Sequence, residues 1–258
     1  ITPPQNIPIR TTLGLRVREA FIAADKPEWL LLSADYSQID LRALAHLSQD
    51  PTLMAAFERD EDIHASTASL IYGVSLEDVT RDMRRLAKVM NFGVAYGLSA
   101  FGISQQTEMT REEGATFIES YFETYPQVRG FLDETVAKAK ELGYAETLLG
   151  RRRYIPELRS PHHPVRQAGE RIALNMPVQG TSADIINEAM VAIQFRLDEE
   201  DFKAKMLLQV HDELIFEVPK DESNTLEQLV SDEMASAMAL DVSLKVESKW
   251  GETWGDMV

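Results

Sequence analysis

Residues 205–219, K-M-L-L-Q-V-H-D-E-L-I-F-E-V-P, decide the fold. Two apolar runs, 206–210 and 214–218, flank a polar centre of His211, Asp212 and Glu213, which is the pattern of a β-hairpin closed by Pro219. Further back, W-L-L-L-S-A-D-Y at 29–36 is a short apolar run that reads as a buried strand, and the alternation of Leu15 and Val17 with charged neighbours predicts another strand over 13–23. At the far end, 242–249 alternates as a closing strand would. Between these segments the helical period dominates. Helices are expected over 38–47, 63–72, 80–97, 111–125 and 128–142, with Gly143 as a stop. Two more are expected over 182–197, opened by Ser182 with Asp184 as its N-terminal charge, and over 225–238. The expected class is α+β, an antiparallel sheet built from both ends of the chain with a helical subdomain inserted between them.

Composition narrows the chemistry. The chain has 258 residues and 44% hydrophobic content, enough for a sizeable core in two interleaved subdomains. It has no cysteine, so a disulfide or thiolate metal site is excluded, which suits a reducing cytoplasm, and any metal must be held by oxygen or histidine. No apolar run approaches the roughly 20 residues of a membrane helix. The net charge of −16 opposes a polyanionic partner taken as a sum, yet its distribution is uneven. Arg151, Arg152, Arg153, Arg159, Arg166 and Arg171 face only Glu157 and Glu170 over 148–171, and Arg81, Arg84, Arg85 and Lys88 face only Asp82 over 81–97. The C-terminal stretch is acidic and reads as a solvated outer face. Screening confines exposed charges to about 8 Å in physiological salt, so two basic islands in an acidic protein suggest a directed cleft.

Three constellations could carry chemistry. Asp35 stands where a buried strand meets a helix, and Asp212 with Glu213 stands at the hairpin centre. Alone, the first reads equally as a helix N-terminal acid and the second as a solvated turn. Together, carboxylates at the ends of strands in one sheet can meet, and hard oxygen ligands with open positions suit Mg²⁺ bound to substrate phosphates. Third, Arg84, Lys88, Phe92 and Tyr96 recur every fourth residue and form one helical face, cations toward the N-terminal half and aromatics beyond. Arg84 and Phe92 would lie about 12 Å apart along the axis, comparable with the separation of a nucleotide's outer phosphate from its base. An ordinary surface helix would show the same stripe.

The residues also carry a resemblance that spacing could not supply. D-Y-S-Q-I-D-L-R-A-L-A-H (35–46), R-R-L-A-K-V-M-N-F-G-V-A-Y-G (84–97) and Q-V-H-D-E-L (209–214) resemble motifs A, B and C of family A DNA polymerases, in that order. D-I-H at 62–64, Tyr125-Pro126, G-R-R-R-Y at 150–154 and N-M-P-V-Q-G-T at 175–181 extend the likeness along the whole chain. The resemblance implies a right-handed polymerase: a palm from 1–46 and 169–258, whose sheet holds the metals, with helical fingers over 47–168. It implies a template-directed DNA polymerase of replication and repair in a bacterial cytoplasm, acting as a monomer on primer-template DNA and dNTPs with two Mg²⁺ ions, for which Mn²⁺ could substitute.

By position, the resemblance makes Asp35 and Asp212 the metal ligands, with the Tyr36 carbonyl, and places Glu213 in support. Arg84, Lys88 and His64 would grip the triphosphate with help from Gln38, Lys88 also protonating the departing pyrophosphate, while Phe92 and Tyr96 pack on sugar and base. Arg151, Arg171, Asn175, Gln179, Gln209 and His211 would meet the primer terminus and the minor groove, whose common acceptors allow a check of shape without reading sequence. Two departures stand out. Asp40 replaces the glutamate usual in Q-I-E-L-R, which bears on sugar selectivity, and the chain opens inside the segment ending Q-N-I-P, so a fragment lacking the thumb is expected. Two other classes compete: a catalytically weak nucleic-acid and dNTP-binding module, and a two-metal nuclease, which would leave the cationic helix without a purpose.

Overall fold

The computed structural model describes residues 7–8, 11–24, 27–95 and 97–257, without the side chains of Val94 and Ala95. Its elements follow in chain order as α1 (Thr12–Arg18), β1 (Trp29–Tyr36), α2 (Ile39–Ser48), α3 (Pro51–Glu58), α4 (Ile63–Tyr72), α5 (Arg81–Ala95), α6 (Ala100–Gln106), α7 (Arg111–Thr124) and α8 (Pro126–Leu142). A short hairpin of β2 (Tyr144–Glu146) and β3 (Arg152–Tyr154) precedes the long helix α9 (His163–Glu199), and the chain closes with β4 (Lys205–Val210), β5 (Glu213–Pro219), α10 (Ser223–Ser236) and β6 (Val246–Gly251). The expected α+β class holds. One antiparallel sheet runs in the order β4-β5-β1-β6, so the strand from the first part of the chain lies between strands from the last.

Two compact units result. The sheet unit comprises Ile1–Ile39, Ile185–Ala239 and Leu244–Val258 as far as they are described, and the helical unit comprises Asp40–Asp184 with Leu240–Ser243. Alternation in β1 gives the sheet two faces. Leu32, Ala34 and Tyr36 are buried on one, where the Tyr36 hydroxyl donates to Met234 O on α10 at 2.7 Å. On the other, Leu31 joins Ala23, Val210, Ile215, Trp254 and Met257 in a cluster, beyond which the same face turns polar at Ser33 and Asp35. In the helical unit, Leu44, Leu53, Phe57, Met90, Phe117 and Tyr121 form the main core. Its helix ends are set by side chains: Asp50 accepts from Thr52 N and Leu53 N with Pro51 opening α3, Thr110 and Glu113 form a capping box, and Gly143 at φ 82° ends α8 as the sequence predicts.

Three expectations are corrected. Residues 13–23 do not form a strand, because α1 occupies their start: Thr11 caps it by accepting from Gly14 N, and Gly14 and Arg18, four apart, are buried while Leu13 and Val17 face water. The guanidinium of Arg18 lies 3.9 Å above the Trp254 ring, so the buried residue of this segment is the one a hydropathy pattern marks as polar. The helix expected to open at Ser182 begins instead at His163 and continues through Pro177. Ser182 is therefore no cap: its hydroxyl bonds Val178 O within the helix, and Asp184 is a buried mid-helix residue rather than an N-terminal charge. Finally, the closing strand starts at Val246 rather than 242, and Ser243 O instead accepts from Arg42 Nη1 at 2.6 Å. Helices α3 and α6 and the β2–β3 hairpin escaped the sequence reading.

Candidate active site

In the sheet unit, cross-strand register builds a rung of acids. Asp35 on β1 stands opposite Glu213 on β5 and opposite Glu247 on β6, so three carboxylate residues lie in line across three strands. Like charges placed directly opposite destabilise a sheet. Asp212 joins them at the hairpin turn, where its carbonyl accepts from Tyr36 N at 3.1 Å and ties the two distant sequence motifs together. Ser33, two residues before Asp35 on the same face, donates from its hydroxyl to Glu213 Oε1 at 2.5 Å. Lys249, opposite Ser33, is a cation that offsets part of this charge, and Arg18 interacts with Glu213. Desolvation, followed by repulsion from Asp212, Glu213 and Glu247, raises the Asp35 carboxyl to about 7, against which Lys249 acts only in part.

This donor set fits a divalent cation. It is all oxygen, carries excess negative charge, and raises one carboxyl to about 7, by desolvation first and by its acidic neighbours second. Among the described residues no group of three or more His, Cys, Asp or Glu closes a metal cage. A hard cation here would complete its shell from other oxygens, as Mg²⁺ does at phosphate sites.

In the helical unit, Asp62 organises the cations. Its Oδ1 caps α4 by accepting from His64 N and Ala65 N, and its Oδ2 accepts from Arg84 Nε on α5 at 2.7 Å. The His64 and Phe92 rings lie 5.5 Å apart, and Lys88 Nζ is 5.8 Å from the Phe92 ring centre. Thus Arg84, Lys88, His64 and Phe92 come together, while Tyr96 lies outside the described residues. Burial first, then the charges of Arg84 and Lys88, depress His64 to about 4 against the pull of Asp62, so the ring is neutral at physiological pH.

Continuity of α9 reveals a second stripe. Arg171, Asn175 and Gln179 recur at intervals of four on one helix, Arg171 and Gln179 exposed. Gln209 and His211 belong to the β4–β5 hairpin, where Gln209 Nε2 donates to His211 O at 3.2 Å. The Arg151 guanidinium is engaged by Asp184 Oδ1 at 2.7 Å and Gly180 O at 2.8 Å. Asp40 accepts from the Ser182 hydroxyl at 2.6 Å. Three features escaped the sequence reading altogether: Glu247 in the rung, the left-handed backbone at Gln38 and His211 (φ 57° and 58°), and the buried Gln38 Oε1, which has no hydrogen-bond partner. Only the strand register could have placed the first.

Comparison with known proteins supplies the lineage. The sequence pattern of DNA polymerase family A matches residues 3–256. The chain belongs to DNA polymerase family A. Among its relatives, DNA polymerase I of Geobacillus stearothermophilus is 50% identical over 252 residues, covering 98% of this chain and 29% of that protein. The thermostable DNA polymerase I of Thermus aquaticus is 50% identical over 250 residues, covering 97% and 30% respectively. A solved structure of the POL domain of Pol1 from M. smegmatis, in complex with DNA primer-template and dNTP, superimposes with a TM-score of 0.94 at 46% identity, over 98% of this chain and 44% of that one. The family A chain thus spans under a third of the length of the Geobacillus and Thermus polymerases. Among its described residues no helix is long and apolar enough to cross a membrane.

Proposed function

We propose that this chain catalyses template-directed DNA synthesis in a bacterial cytoplasm: the primer 3′ oxygen attacks the α-phosphate of a dNTP, the α–β bridging bond breaks, and pyrophosphate leaves. The observation that carries this reading is the acidic rung at Asp35, an arrangement that costs stability and gains a purpose only around cations. Residues 1–46 and 169–258 would serve as the palm and 47–168 as the fingers.

Asp35, Asp212 and the Tyr36 carbonyl would hold two Mg²⁺ ions, or Mn²⁺ in their place, which when bound supply activation of the attacking hydroxyl and charge neutralisation at the leaving oxygen. Glu213, fixed by Ser33, maintains the negative field behind these ligands. Arg84, Lys88 and neutral His64 bind the triphosphate oxygens with Gln38 assisting, and Lys88 donates a proton to the departing pyrophosphate. Phe92 and Tyr96 pack on sugar and base, and Asp40 excludes or admits a 2′-hydroxyl. Arg151, Arg171, Asn175, Gln179, Gln209 and His211 contact the primer-template, Arg151 being also anchored to α9 through Asp184. Catalysis is then positioning and charge neutralisation. Primer extension by this monomer, with Mg²⁺ and single nucleotides, tests the proposal: templated addition supports it, duplex binding without extension would leave a binding module, and cleavage without addition a nuclease.

A further inference from the structure

We infer that Asn91 is a positioning residue that sets the proton of His64, holding the imidazole as an Nε2–H donor; the inference rests on the proposed role of His64 at a triphosphate. Its basis is a closed network behind that ring, with Asn91 and Thr67 fully buried on α5 and α4 and Tyr125 buried at the α7–α8 junction. Asn91 Nδ2 lies 3.0 Å from His64 Nδ1, 3.0 Å from Thr67 Oγ1 and 3.4 Å from Ile63 O. The Thr67 hydroxyl donates to Ile63 O at 2.7 Å, and the Tyr125 hydroxyl is 2.9 Å from Thr67 Oγ1.

Asn91 Oδ1 also lies 3.2 Å from Thr67 Oγ1, but the shorter 2.7 Å contact takes the hydroxyl proton to Ile63 O, and on that choice one assignment of protons follows. Thr67 has a single hydroxyl proton, which goes to Ile63 O, so its lone pairs receive Tyr125 and one Asn91 hydrogen. The second Asn91 hydrogen then points to His64 Nδ1, which must accept it, and the ring proton resides on Nε2. Turning the Asn91 amide over would set its oxygen against the Ile63 carbonyl, two acceptors facing each other in a buried site. The surroundings agree, since burial, Arg84 and Lys88 all oppose a second ring proton and only Asp62 favours one. A neutral His64 held in this way offers its ring N–H to a phosphate oxygen at every pH where the enzyme works. Without Asn91, the lone pair of Nε2 could face the phosphate instead, replacing attraction by repulsion.

The test reads the ring directly. In the whole chain with ¹⁵N-labelled histidine, His64→Gln identifies the His64 signals among the five histidines. Long-range ¹H–¹⁵N correlation on the parent should show Nδ1 unprotonated and Nε2 protonated from about pH 5 upward. Asn91→Asp, whose carboxylate can only accept, should move the proton to Nδ1 and raise the His64 titration midpoint by about one pH unit or more. Asn91→Leu should raise the KM for a single nucleotide about tenfold or more, the loss of one hydrogen bond to a charged group, with kcat changed less. Adding His64→Gln to Asn91→Leu should cost little further. A parent protonated at Nδ1, or an unchanged titration in Asn91→Asp, overturns the inference whatever the activity, and the parent spectrum decides even if a variant fails to fold. A parent that shows the Nε2–H tautomer but extends no primer would instead remove the polymerase reading and leave the assignment of Asn91 standing.

Discussion

Replacing Asp35 by Asn should make the protein more stable at alkaline pH while removing its activity. Asp35 faces Glu213 on one side and Glu247 on the other, with Asp212 adjacent, and its carboxyl is raised from 3.8 to about 7. A folded-state pKa above the unfolded one means that ionisation opposes folding. The penalty is absent below about pH 4, where both states hold the proton, and grows as pH rises through 7. Two directly opposed like-charge pairs at about 0.2–1 kcal/mol each, reduced by solvent at an open site and by Lys249, give about 1 kcal/mol at pH 8. For a chain of this size that is a rise of about 2–4 °C in Tm. Thermal melts of parent and Asp35→Asn at pH 5, 6, 7 and 8 should show the variant gaining from pH 5 to pH 8, and millimolar Mg²⁺ should stabilise the parent more than the variant. An equal gap at all four values, or none at pH 8, would show that the rung is not under repulsion and would remove the observation on which the proposed function rests.

Four further outcomes are expected. Asp212→Ala should abolish extension while the fold survives, with Glu213→Ala milder; extension within tenfold of the parent at saturating Mg²⁺ would unseat Asp212 as a ligand. Phe92→Tyr, which puts a hydroxyl where the sugar is proposed to lie, should raise the use of dideoxynucleotides relative to deoxynucleotides, and an unchanged ratio in competition assays counts against that placement. Asp40→Glu, adding the methylene that family members carry, should sharpen discrimination against ribonucleotides by about 10 to 200-fold in kcat/KM. Equal ratios would mean that the Ser182 bond already sets the gate. Arg151→Ala leaves the buried Asp184 carboxylate without its guanidinium and should lower stability by about 1–3 kcal/mol in urea titrations; a neutral result would make the contact incidental.

Most of the framework was legible because it rests on local signals. Helix α4 begins and ends where its period predicts, Gly143 stops α8, and the hairpin around His211 and Asp212 stands where two apolar runs flank a polar centre. What escaped depended on partners distant in sequence. The cation of Arg18 is covered by Trp254, which no local pattern announces, so local alternation predicts a strand where α1 forms. Pro177 is a strong local stop signal that tertiary context overrides, and with α9 cut at 182 the stripe of Arg171, Asn175 and Gln179 could not be seen as one face. The candidate site divides in the same way. Asp35, Asp212, Arg84 and Lys88 were marked by residue type and motif, whereas Glu247 acquires meaning only from its register opposite Asp35.

Two of the five left-handed non-glycine residues among those described stand beside the motif carboxylates. Gln38 and His211 hold left-handed backbone, three residues after Asp35 and one before Asp212, although neither is glycine, and the side chain of Gln38 buries an oxygen with no partner. A non-glycine residue in such a conformation costs of order 1 kcal/mol or more and persists only when its surroundings demand it. The demand here is local: Tyr36 N must reach Asp212 O, and Ser37 N must reach Lys245 O, for the chain to leave β1 with Asp35 beside the hairpin turn. Strain on both sides of the acidic rung and repulsion within it act in the same direction, against the free protein. Both fall on residues that would meet substrate or cation, so ligand binding can recover that stability. The buried clusters around Leu31 and around Met90 supply the margin that lets the fold tolerate it.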